Sequence, residues 1–174
     1  IDYAAMRAKL EELSEAFKKA SQLTIIGTGG SRLTASIKNR PVSYVAGCIE
    51  KPGDISYIPG GVMAITPLEV SVNGSFVING STTVTGRCAP ITCTVKDGRV
   101  VKIEGGAEAR ALEEHFRSMD DGAWWVAEIG TGANPKARLN GTSEDERISA
   151  SIHIGIGHNL HLGGSIESKS HVDV

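Results

Sequence analysis

Four of the five histidines lie in the last 22 residues, and the chain closes on His171-Val172-Asp173-Val174. In an extended segment, residues two apart point to the same side. His171 and Asp173 would therefore offer a nitrogen and an oxygen to one cation, with Val172 facing away. In the stretch SIHIGIG, Ile152, Ile154 and Ile156 fall on one face and His153, Gly155 and Gly157 on the other. Glycines beside a histidine leave volume in which an ion or substrate can approach the strand. In WWVAEIGTG, strict alternation sets Glu128 on the face of Trp124 and Val126, inside an otherwise apolar strand. A carboxylate there is costly unless a cation or a strong donor meets it. Glu128, His153, His171 and Asp173 together make a set of two nitrogens and two oxygens of borderline softness, suited to a divalent ion such as Zn, Mn, Co or Fe. Each has a plainer reading: a strand histidine is often only hydrogen-bonded, and Glu128 could pair with an arginine. His158 and His161, in the loop beyond, read as structural.

The elements that must position these groups follow from periodicity. Over residues 2–20, Tyr3, Met6, Leu10, Leu13 and Phe17 recur at three and four, which predicts an amphipathic helix packed on a sheet. From Leu23 the period becomes two. LTIIGTGGSRLTASI and RPVSYVAG read as strands around turns, and YIPGGVMAITP as a turn followed by a strand. GSFVINGSTTVTG and ITCTVKDGRVVKIEGG read as hairpins, the second closing on Asp97-Gly98. AEARALEEHFRSM is a second helix with His115 on its solvated face. Asn73, Asn79 and Asn140 each precede glycine and read as turns, not glycosylation sites. The order predicts an α+β domain: a β-rich mixed or antiparallel sheet with an N-terminal helix and one internal helix.

With 174 residues, 40% hydrophobic and 22% charged, residues 1–174 suit a single metal-binding catalytic domain. The net charge of −2 gives no basic surplus, so neither nucleic acid nor an anionic membrane is expected as a partner. Three cysteines without metal-like spacing argue against a disulfide framework. No long apolar run or signal-like segment is present in the sequence, so a cytoplasmic location is expected. A start at Ile1 and an end on the densest motif suggest a fragment lacking an N-terminal domain, and an exposed sheet edge suggests a homodimer.

TIIGTGGSRLTASI, IPGGVMAITPLEVSVNGSF, VKDGRVV, AEIGTGANP, SIHIGIGHNLHLGG and SHVDV occur in an order that resembles the C-terminal part of the thermophilic metallo-aminopeptidases, the aminopeptidase T or M29 family. The resemblance implies a metal-dependent hydrolase, with Glu128, His153, His171 and Asp173 at metal-ligand positions. Two positions depart from it. No carboxylate stands around Gly60, Gly61 and Val62, and Leu160 stands where a ligand tyrosine is expected. Glu69 is a possible substitute for the missing acid. The scaffold also resembles that of 2,5-dihydroxypyridine 5,6-dioxygenase, a ring-cleaving non-haem iron family with histidine at the position of Glu128. The leading expectation is therefore a metallo-hydrolase, aminopeptidase-like, acting on a peptide or small-molecule amide, with Glu128 as ligand or general base. The alternatives are a mononuclear iron dioxygenase acting on a hydroxylated aromatic, and a non-catalytic domain with a degenerate site.

Overall fold

The computed structural model describes residues 1–27 and 29–174. Thr28, in the glycine-rich stretch GTGG, lies outside the described residues. Helix α1 (Tyr3–Lys19) begins where the Asp2 carboxylate accepts a hydrogen bond from the Ala5 amide at 3.0 Å. It buries Met6 and Leu10 against Ala46 and Met63, as its apolar spacing requires. The strands are β1 (Gln22–Ile26), β2 (Arg32–Ser36), β3 (Val42–Val45), β4 (Val62–Ile65), β5 (Asn73–Ile78), β6 (Ser81–Thr82) and β7 (Gly86–Arg87). They continue as β8 (Ile91–Lys96), β9 (Arg99–Glu104), β10 (Val126–Gly132), β11 (Ile152–Gly157) and β12 (His171–Asp173), with α2 (Ala107–Ser118) between β9 and β10.

One five-stranded sheet runs β1-β2-β5-β8-β9 and a second runs β12-β11-β10-β4-β3, with every pairing inside them antiparallel. Leu33, Phe76, Ile91 and Cys93 of the first sheet share one core with Ile65, Ile129, Ile156 and Val172 of the second, and α2 adds Leu112 and Phe116. This is the expected β-rich α+β architecture. Asp97 and Gly98 both take positive φ (48° and 84°), the backbone that a two-residue hairpin turn demands. Asn73-Gly74 behaves differently: it lies inside β5, and the Asn73 side chain instead accepts from the Asp97 amide at 2.9 Å. Gly74 is needed there because a Cβ would sit 2.1 Å from the Arg32 carbonyl oxygen of the neighbouring strand.

His115 is also not simply solvated. It is half-buried, with Nε2 2.9 Å from the Ser170 hydroxyl, and so links α2 to the segment entering β12. Cys48, Cys88 and Cys93 are all free thiols.

Candidate metal centre

The second sheet carries the candidate residues at its edge. Across β10, β11 and β12, Glu128 pairs with Gly155 and Gly155 with Asp173. Gly130 pairs with His153, and Gly157 with His171. Directly paired residues share a face, so Glu128, His153, His171 and Asp173 all project from one side. Ile154, Ile156 and Val172 fill the core on the other. The reading of β11 and β12 therefore matches the fold, whereas the reading of β10 needs a correction. Val126 pairs with Ile156 but Glu128 pairs with Gly155, so an extra residue is taken up between them. This β-bulge turns Glu128 away from the face of Val126 and onto the histidine side. The carbonyl of Ala127, inside the bulge, accepts from the Asn159 side-chain Nδ2 at 3.4 Å.

The two glycine positions provide the room. A Cβ on Gly130 would lie 1.9 Å from Cε1 of His153, and one on Gly155 would lie 2.8 Å from Nε2 of His171. The imidazoles themselves occupy the space left by the missing side chains. Oε1 of Glu128 is 3.4 Å from Nε2 of His153, and its Oε2 is 3.4 Å from Nε2 of His171. His171 Nε2 is also 3.2 Å from Oδ1 of Asp173. Because a carbonyl can only accept, Nδ1 of His171 carries the hydrogen that it donates to the His158 carbonyl at 2.7 Å. That bond fixes the ring and aims Nε2 at the carboxylates. His158 thus contributes through its backbone, while its ring stacks on His161 at 5.5 Å.

The electrostatics agree with this geometry. Burial would raise the Glu128 carboxyl, but His153 and His171 outweigh it and hold the group down at about 2. Burial likewise works against a charged His171, yet Asp173 and Glu128 hold it up at about 10. Among the described residues, Glu128, His171 and Asp173 form the one group of His, Cys, Asp or Glu whose ligand atoms all lie within 4.8 Å of one another. The donor set fits a divalent cation. Two carboxylates and one imidazole supply charge and hard-to-borderline donors, and His153 adds a buried ring whose Nδ1 has no hydrogen-bond partner. No arginine pairs with Glu128 among the described residues.

Glu69 does not join this group. Its Oε1 accepts from the Asn159 side chain (3.1 Å) and the Ser165 amide (2.8 Å), and Arg40 lies 3.6 Å away. Gly60 has no room for a carboxylate, since a Cβ there would meet the Ala46 and Gly47 backbone at 2.3 Å. Leu160 is half exposed on a short turn. One acid near the centre was not singled out from the sequence: Glu146, on the turn Asp145–Arg147, lines a cavity together with His153 and Asp173. Its only sequence signal is the run Glu144-Asp145-Glu146, which by itself reads as a solvated charge cluster.

Fold and site define a β-rich α+β scaffold with a histidine-carboxylate cluster suited to a divalent ion. Residues 2–174 match the family model for 2,5-dihydroxypyridine 5,6-dioxygenase (NicX), and the chain belongs to that family. A protein from Pseudomonas putida KT2440 named 2,5-dihydroxypyridine 5,6-dioxygenase is 25% identical over 172 residues, covering 90% of this chain and 49% of that protein. A solved structure of the 2,5-dihydroxypyridine dioxygenase from Pseudomonas putida KT2440 superposes with a TM-score of 0.85 at 22% identity, over 99% of this chain and 54% of that one. Wild-type AmpT from Thermus thermophilus superposes with a TM-score of 0.73 at 17% identity, over 98% of this chain and 47% of that one. The chain thus spans about half the length of these relatives.

These findings correct the leading expectation. The family is that of the dioxygenase and not the M29 aminopeptidases, so the hydrolase, aminopeptidase and metalloprotease readings fall. What is shared with AmpT is the scaffold. Among the described residues, no helix is long and apolar enough to cross a membrane.

Proposed function

We propose that this chain forms the metal-holding part of a ring-cleaving dioxygenase that acts on a small hydroxylated nitrogen heteroaromatic. The observation that carries this reading is the convergence of Glu128, His171 and Asp173 on one sheet face, in a chain of the 2,5-dihydroxypyridine 5,6-dioxygenase family. Glu128, His171 and Asp173 would hold the ion, with His153 beside Glu128. A divalent iron held there would supply the redox path by which electrons of the aromatic ring reach O₂.

The protein's own contribution is positional. The His158 carbonyl keeps the hydrogen of His171 on Nδ1, leaving Nε2 for the ion. The paired carboxylates compensate the charge of a divalent cation in a partly dehydrated niche. Apolar walls beside the centre, among them Ile25, Phe76 and Ile152, suit the faces of a flat ring.

The test is oxygen consumption by the protein reconstituted anaerobically with ferrous iron and then given 2,5-dihydroxypyridine. The expected result is loss of the ring absorbance with uptake of one O₂ per ring, both labelled oxygen atoms appearing in the product. An unchanged absorbance with fully iron-loaded protein contradicts the reading.

A further inference from the structure

The cavity beside the candidate centre has a volume of about 510 Å³, and its lining includes three carboxylates, Asp145, Glu146 and Asp173. Among the described residues, no lysine or arginine lines it. Asp173 belongs to the metal group. Asp145 is committed to the fold, accepting from the Asn140 and Gly141 amides at 2.8 Å each and from the Ser81 hydroxyl. Glu146 is different. Its Oε2 pairs with Arg147 at 3.0 Å, while its Oε1 receives no hydrogen bond among the described residues. The side chain is only 19% exposed. Arg147 is itself fastened, donating to the Pro59 carbonyl at 2.8 Å and to the Ser143 carbonyl. The turn that carries Glu146 is therefore rigidly mounted, and an acceptor oxygen without a protein partner among the described residues is left open to the cavity.

Resting on the dioxygenase reading above, we infer that Glu146 is a substrate-binding and specificity residue, whose free carboxylate oxygen accepts a hydrogen bond from a hydroxyl or ring N–H of the aromatic substrate. A substrate with such a donor satisfies the free acceptor and spares it from competing with water. An aromatic carboxylate placed against Glu146 would instead bring a second negative charge beside the first, and is disfavoured there. The electrostatics of the side chain point the same way: burial raises the Glu146 carboxyl, Asp173 adds to this, and His153 and Arg147 oppose it. Arg147, the cation beside Glu146, is already engaged by Glu146 itself and by the Pro59 and Ser143 carbonyls.

The experiment compares wild type, Glu146→Gln, Glu146→Ala and Glu146→Asp, all iron-loaded, on 2,5-dihydroxypyridine, with a hydroxypicolinate as the carboxylated competitor. Metal content and thermal midpoint are recorded for each. Loss of a hydrogen bond to a charged group is expected to raise KM by about 10- to 100-fold in Glu146→Ala. Metal content should stay at the wild-type level, and Glu146→Asp should recover part of the loss. In Glu146→Gln the hydroxypicolinate should become a stronger inhibitor, because the repelling charge has gone. Unchanged KM and unchanged discrimination in folded, metal-loaded Glu146→Gln and Glu146→Ala overturn the inference while the dioxygenase reading stands. A wild-type protein without turnover overturns both, and is recognised before any variant is made.

Discussion

Glu69 and Glu128 are both acids held largely out of water, and the protein treats them in opposite ways. Glu69 is met by Asn159, by both the amide and the hydroxyl of Ser165, and by Arg40. Burial would raise its carboxyl, yet its own amide, the Ser165 amide, the Asn159 side chain and Arg40 hold it below the ordinary value. Glu128 meets only two imidazoles, each at 3.4 Å, longer than a good hydrogen bond. A saturated acid is a structural fastening, whereas an acid left to titratable rings is a place for a cation. The two are joined through Asn159, which donates to Glu69 and to the Ala127 carbonyl in the bulge that turns Glu128 to the site.

The sharpest way to break the contrast is at the proposed ligands. Glu128→Ala and the double change His171→Ala with Asp173→Ala should each lower affinity for a divalent ion by at least about 100-fold, read by metal analysis after dialysis, with the metal-free fold retained by circular dichroism. Glu69→Gln should do the converse. It turns an amide toward the donors of Asn159 and Ser165, and should cost about 2–4 kcal/mol in chemical denaturation. Metal affinity should fall only as far as the bulge loosens.

Titration separates the two acids further. With His171 held at about 10, ion uptake near pH 7 must displace its proton, so calorimetry in buffers of different ionisation enthalpy should report about one proton released per ion. In the metal-free protein the signs are opposite for the two partners. The raised His171 contributes stability that is complete below its ordinary 6.5 and is lost as pH rises toward 10. The depressed Glu128 contributes stability that is complete above its ordinary 4.5 and is lost as pH falls toward 2. The contribution of this pair should therefore be largest between 4.5 and 6.5, seen as a maximum in the metal-free thermal midpoint that metal shifts to higher pH. The smallest effect is expected from Gly155→Ala. Its Cβ would crowd Nε2 of His171 and Cβ of Glu128, lowering metal affinity by about 10-fold with a stability change of about 1 kcal/mol.

Much of this was legible in the sequence because it rests on period and turn chemistry. The apolar spacing of α1, the Asp97-Gly98 hairpin and the His171-x-Asp173 pair all follow local rules that the fold obeys. The bulge at Ala127 does not, since alternation counts residues and cannot see one that the neighbouring strand skips. Asn73-Gly74 was misread because a close approach to the Arg32 backbone, and not a turn, requires that glycine. Glu146 stayed hidden because a charge run becomes a cavity wall only when Arg147 is pinned to Pro59, 88 positions away. The chemistry itself was ambiguous for a physical reason: the same nitrogen and oxygen donors serve a hydrolytic ion and an oxygen-activating one. Likeness along the whole chain separated them.

The most direct measurement is an anomalous-difference map from a crystal of the protein loaded with ferrous iron or manganese. A metal peak bonded at about 2.0–2.2 Å to a Glu128 oxygen, Nε2 of His171 and an Asp173 oxygen is the predicted result. A peak bound elsewhere, or none here in metal-saturated crystals with Glu128 still resting between its two imidazoles, would contradict it.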